Sequence, residues 1–206
     1  MKTVVNTIAK MALAITFLAM PALADAVFTL GNNPQSNEEN ILFTTSATGH
    51  TINAFTNQSH TNVVITSTTN MLLEGGGQAD LDDASGGRLH DVSFTVPGFT
   101  FTDFILNPFK PKANEDLVVS VMTNDGLFSF KYGGKNGNNF LTVTTTGGEV
   151  MDWIQVDSAS GFEGLKQPRI SGVAAVAATP EPSTMLLLGS GLVGLSAWAR
   201  RKIASN

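Results

Sequence analysis

The chain has 206 residues, a formal charge of −5 and no cysteine, which excludes disulfides, a cysteine-based zinc site and a thiol nucleophile. Charged residues make up 14% and hydrophobic residues 42%, a balance that excludes a highly charged disordered chain and a long Glu/Lys-rich coiled coil. Residues 25–178 hold seven basic against sixteen acidic residues, a charge of −9, so phosphate backbones are repelled and nucleic acid is not an expected partner.

In chain order, Lys2 and Lys10 frame a charged leader, and Met11 to Met20 is an uncharged apolar run. At ~1.5 Å per residue that run falls short of a ~30 Å bilayer core. Pro21 stops a helix, and Ala22-Leu23-Ala24 supplies the small residues that fit a signal peptidase. Residues 1–24 are therefore expected to be a signal peptide cut after Ala24, with Ala26 as the alternative. Signal peptidase is the expected processing partner.

From residue 25 to residue 172 the hydrophobic pattern has period two. Val92, Phe94 and Val96 alternate with Ser93 and Thr95, and Leu127-Phe128-Ser129-Phe130-Lys131-Tyr132 and Phe140-Leu141-Thr142-Val143-Thr144 repeat the pattern. Val63 to Thr66, Leu117 to Met122 and Val150 to Val156 are further strand candidates, rich in residues that suit a pleated, half-buried surface. Pro97-Gly98, Asn124-Asp125-Gly126 and Gly147-Gly148 supply turns between them. Gly133 to Asn139 reads as an exposed loop. The pattern predicts an all-β domain, an antiparallel sandwich or jelly roll. The small-residue stretch 173–179 reads as a linker.

Candidate chemistry in this domain is sparse. His50, His60 and His90 match no compact metal spacing and read as exposed turn residues. Asp80, Asp82 and Asp83 are weak calcium candidates, because calcium takes six to eight oxygens from a flexible loop but the EF-hand pattern is absent. No Gly-x-Ser-x-Gly elbow occurs, and no catalytic residue is assigned. Trp153 is the one tryptophan of the domain. Strict alternation places it with Met151 and Gln155, opposite Ile154 and Val156, where it could stack on a sugar ring; as a large apolar residue it could equally be core. Tyr132, at the edge of the Asn/Gly-rich loop, is the second stacking candidate. Arg169 is expected to pair with a sandwich carboxylate or to grip an acidic sugar.

The C-terminal segment begins with Pro180-Glu181-Pro182. Residues 183–199 then run without a charge, and Arg200, Arg201 and Lys202 follow. The run has the minimum length for a transmembrane helix, Trp198 suits the membrane interface, and the basic cluster is expected to stay cytoplasmic. Gly189-Ser190-Gly191-Leu192-Val193-Gly194 fits G-x-G-x-x-G, but it lies inside this apolar run without a βαβ setting, so it reads as helix-packing glycines and not a nucleotide loop.

Pro180-Glu181-Pro182, the apolar run and Arg200-Arg201 together resemble the sorting signal of the PEP-CTERM protein family over residues 180–206. The resemblance implies recognition by an exosortase, a membrane-embedded transpeptidase-like enzyme of Gram-negative bacteria. It also implies export across the inner membrane as an anchored precursor, then passage to the cell surface or the medium. The expected function is a non-catalytic surface or extracellular-matrix protein associated with exopolysaccharide and biofilm. A carbohydrate-binding module using Trp153 or Tyr132 is the alternative, and an extracellular hydrolase the third reading. No cofactor is expected, calcium at Asp80, Asp82 and Asp83 being only a weak candidate.

Overall fold

The computed structural model describes residues 25–43, 46–73, 79–112, 115–176 and Ser190, and all structural statements concern these. The cleavage residues Ala22 and Ala24, the sorting residues Pro180, Glu181, Pro182, Arg200 and Arg201, and the apolar run 183–199 lie outside the described residues, Ser190 excepted. Among the described residues no helix is long and apolar enough to cross a membrane.

The described domain is all-β. Its strands are β1 (Asp25–Leu30), β2 (Glu39–Leu42), β3 (Ala47–Thr56), β4 (Asn62–Leu73), β5 (Asp80–Asp83), β6 (Leu89–Thr95), β7 (Phe99–Thr100), β8 (Asp103–Leu106), β9 (Pro108–Pro111), β10 (Asp116–Thr123), β11 (Gly126–Gly133), β12 (Leu141–Thr146), β13 (Met151–Lys166), β14 (Arg169–Ser171) and β15 (Ala174–Ala175). One layer runs β1-β12-β8-β14-β2. The other runs β2-β3-β4-β6-β13-β10-β11, with β5 and β9 completing the far end of β13. Strand β2 belongs to both layers and forms the seam. The opposite edges meet through side chains: Phe28 of β1 stacks on Phe130 of β11 with centroids 5.4 Å apart.

Period-two burial creates the core between the layers. Leu117, Val119 and Val121 of β10 are buried while Val118, Ser120 and Met122 are half-buried. Phe94 of β6 meets Phe104 of β8 at 4.9 Å, and Phe101 meets Phe104 at 5.9 Å. Each fully buried side chain of this size contributes ~1.5–3 kcal/mol of transfer free energy. The long β13 bends between Asp157 and Phe162. Gly161 sits in that irregularity at φ +77, where a Cβ would lie 2.7 Å from Arg88 Cβ and 2.9 Å from the Leu89 carbonyl. Only glycine fits there without displacing backbone.

Two local expectations are corrected, while the 133–139 loop is largely exposed as expected, with Asn139 buried. Met151 is fully buried rather than outward-facing, because the ladder slips one residue between Met122 and Thr123 and turns it inward. The 133–139 loop is pinned from within: buried Asn139 accepts from the Lys135 amide at 2.7 Å and donates to the Lys135, Gly137 and Pro108 carbonyls. The start of the expected linker is paired, Ala174 with Thr100 and Ala175 with Phe99, and the compact unit ends at Ala175.

Candidate functional site

Trp153 lies half-buried on the solvent side of the second layer. Register builds a row of side chains across the strands around it: Leu127, Met122, Trp153, Thr95, Val64 and Asn53. Leu127, at one end, is 59% exposed. The next row consists of Ser129, Ser120, Gln155, Ser93, Thr66 and Thr51. The Ser120 and Ser129 hydroxyls are 2.9 Å apart. A largely apolar stripe, with an indole at its centre and Thr95 and Asn53 as its polar members, therefore runs beside a stripe of hydroxyls and one amide, and neither stripe carries a charge. At ~4.8 Å per strand the rows extend ~24 Å.

Charge begins one row further on. Asp157 stands directly opposite Asp91 in the β13–β6 ladder. Burial pushes the Asp157 carboxyl up, the Asp91 charge adds to this, and a hydrogen bond from the Gln155 amide at 2.7 Å opposes it. Asp91 is held by the Thr68 amide at 3.1 Å and by the Thr68 hydroxyl.

Tyr132 is not exposed for stacking on a sugar; its ring stacks on Phe130 instead, with centroids 6.0 Å apart. It alternates with Phe128 and Phe130 on the inner side of β11, is 8% exposed, and donates its hydroxyl to the Asn139 carbonyl at 3.2 Å. Burial raises its ionisation well above the ordinary tyrosine value. The calcium candidates are engaged separately. Asp80 Oδ2 takes a hydrogen-bonded ion pair from Lys166 Nζ at 2.7 Å, and Asp83 Oδ1 accepts from the Ser85 amide at 2.8 Å and its hydroxyl at 2.7 Å. The Ser85 amide, then its hydroxyl, hold Asp83 below the usual carboxylate range. Asp82 lies between them on β5, opposite Gly164. Among the described residues no group of three or more His, Asp or Glu stands together to hold a metal ion. His50, His60 and His90 are all exposed; His60 follows the 57–59 turn between β3 and β4, whereas His50 and His90 lie on β3 and β6.

A second polar region was not legible in the sequence. The crossover 31–38 carries the chain from β1 to β2, the two edges of the first layer, and passes over its outer face. Thr142 Oγ1 donates to the Gly31 carbonyl at 2.9 Å and accepts from the Asn33 amide at 3.0 Å. Arg169 on β14 pairs with Glu38 at 2.6 Å and donates to Asn32, as its expected carboxylate partnership requires. Ile105 is fully buried on this side, away from the Phe104 and Leu106 core. Beside it lies Asp103, 3% exposed. Neither Asp103 oxygen, nor Arg169 Nε, has a hydrogen-bond partner among the described residues. Burial first, then the Glu38 charge, pushes the Asp103 carboxyl up to about 7, against the Arg169 charge and the adjacent Ser171 hydroxyl. Asp103 underlies a cleft of about 660 Å³, with Phe99, 40% exposed, on its lining. The available signal was a lone carboxylate opening the otherwise apolar Asp103-Phe104-Ile105-Leu106 strand.

Family comparison assigns the C-terminal segment. Residues 178–202 match the PEP-CTERM protein-sorting motif. A PEP-CTERM signal implies an exported protein, exosortase processing and a membrane-anchored stage in a Gram-negative bacterium. The match covers this signal alone and leaves the sandwich unassigned. No curated protein matches the chain. Among solved structures, the chain is similar to a family 29 carbohydrate binding module, CBM29_1, from Piromyces equi. That overlap has 10% identity, covers 72% of this chain and 91% of that one, and has a TM-score of 0.26. It is also similar to the enzymatically active domain of tailspike protein 4 of bacteriophage CBA120, at 14% identity over 73% of this chain and 18% of that one, with a TM-score of 0.23.

Proposed function

We propose that the exported chain is a non-catalytic surface or extracellular-matrix protein that associates with exopolysaccharide through the solvent face around Trp153. The observation that carries this reading is the pair of uncharged rows across the second layer. An aromatic ring in an apolar stripe offers stacking and CH contacts to pyranose rings. The neighbouring hydroxyls and the Gln155 amide offer hydrogen bonds to sugar hydroxyls, directly or through water. A face spanning six strands suits an extended polymer rather than a compact small molecule, which a concave site would enclose. The one carboxylate pair nearby, Asp157 and Asp91, is committed to Gln155 and Thr68, which favours binding over acid–base chemistry.

The test is co-sedimentation of the processed chain, purified from its producing cells, with the exopolysaccharide of those cells. Retention by the polymer, lost in Trp153→Ala, supports the reading. Failure to co-sediment, or unchanged co-sedimentation of Trp153→Ala, removes it.

A further inference from the structure

We propose that the cleft beneath the 31–38 crossover is a separate saccharide-binding pocket, taking one or two units of a neutral sugar whose hydroxyls are received by Asp103 and whose apolar face rests on Phe99. Three observations carry this. First, the cleft is concave and of a size that holds a small ligand, about 660 Å³. Second, its floor holds a carboxylate whose two oxygens are both buried and, apart from the adjacent Ser171 hydroxyl, which falls outside hydrogen-bond geometry, unpartnered among the described residues. Buried polar groups are satisfied with few exceptions, so the group that satisfies these must be small and must donate. A sugar hydroxyl meets that requirement, directly or through one bridging water. Third, the walls supply neutral hydrogen-bonding groups, among them Gln35, Asn37, Ser59, Thr61, Thr145 and Ser171, while Phe99 is the exposed aromatic.

Charge selects within the sugars. Among the described residues no Lys or Arg lines the cleft, and the charged lining residues are Asp103 and Glu39. Glu39 is already occupied by the Gln58 and Ser59 amides and the Ser59 hydroxyl. Arg169 lies below, committed to Glu38 and Asn32. An acidic sugar would face Glu39 and the Asp103 carboxyl with no free cation among the described lining residues to receive it, whereas a neutral sugar donates to Asp103.

This pocket shares no residue with the Trp153 face, so either site can fail alone. The experiment is calorimetric titration of the full exported chain with glucose, galactose, mannose and cellobiose, and with glucuronate as the acidic counterpart. Saturable binding of at least one neutral sugar is expected, weakened tenfold or more in Asp103→Asn and in Phe99→Ala. Phe99 is exposed, so its truncation tests the pocket even if Asp103→Asn disturbs folding. The proposal is overturned if none of the four neutral sugars binds, if glucuronate binds equally well, if Phe99→Ala binds as the parent does, or if the signal disappears only with Trp153→Ala.

Discussion

Arg169 Nη1 lies 2.6 Å from Glu38 Oε1, and both side chains are largely withdrawn from water. This pair ties β14, the strand beside the β2 edge of the first layer, to the end of the crossover that links the layer's two edges. Removing one partner leaves a charge without compensation in a low-dielectric setting. Arg169→Met is therefore expected to cost about 3 kcal/mol or more. Chemical denaturation of the variant and the parent measures it, and a change within ~0.5 kcal/mol, the range of ordinary surface substitutions, would mean that the pair carries no structural load.

Asp103 makes stability depend on pH in the direction opposite to most carboxylates. Its folded value is raised to about 7 from 3.8. Between these values the folded state holds a proton that the unfolded state has released. Stability is then full below the unfolded value and falls as pH rises towards the folded one, levelling above it. In Asp103→Asn this dependence disappears, so the variant gains on the parent between pH 4 and 7, by a few kcal/mol at most. Melting temperatures across that range check the sign; a parent whose Asp103 contribution rises with pH would contradict it.

Trp153 and Phe94 lie on opposite sides of the same layer and separate binding from folding. Phe94→Ala removes a fully buried ring and is expected to cost ~3–5 kcal/mol. Trp153→Ala removes a half-buried ring from the solvent side, so its stability loss is expected to be smaller while polymer retention is lost. Parallel melting and co-sedimentation measurements on the two variants test this division. A Trp153→Ala protein that fails to fold would place the indole in the core account instead.

The sorting motif gives its own predictions. Arg200→Ala with Arg201→Ala removes the charges expected to hold the C-terminus on the cytoplasmic side, and impaired retention and processing should follow. Glu181→Ala should leave unprocessed precursor in the membrane fraction. Fractionation followed by mass measurement reads both. Normal maturation of Glu181→Ala would reduce Pro180-Glu181-Pro182 to a spacer.

The strands were legible where alternation is strict. Val92, Phe94, Leu117, Val119 and Val121 announce their buried side because period two leaves one register that hides them all. Trp153 was placed opposite Ile154 and Val156 by the same logic, and it lies there. Met151 was misplaced because one slipped residue reverses the parity, and a slip leaves no mark in the residue pattern. The Asn/Gly-rich loop beside Tyr132 suggests an exposed ring, whereas its shared parity with Phe128 and Phe130 points it inward.

By itself the sequence determined the β architecture, the acidic middle segment and the sorting signal. Each depends on local order: hydrophobic period, residue counts, or a linear motif read by another protein. The tertiary structure decided which strands stand side by side, and hence that Trp153 lies in uncharged rows drawn from six strands. It also decided that Asp103 lies under a crossover beside Glu38 and Arg169. Those neighbours come from positions 65 and 66 residues away along the chain, and only folding brings them close enough to change the carboxyl's proton affinity. The physical reason is that desolvation and Coulomb interaction depend on distance in space, which a linear order does not contain.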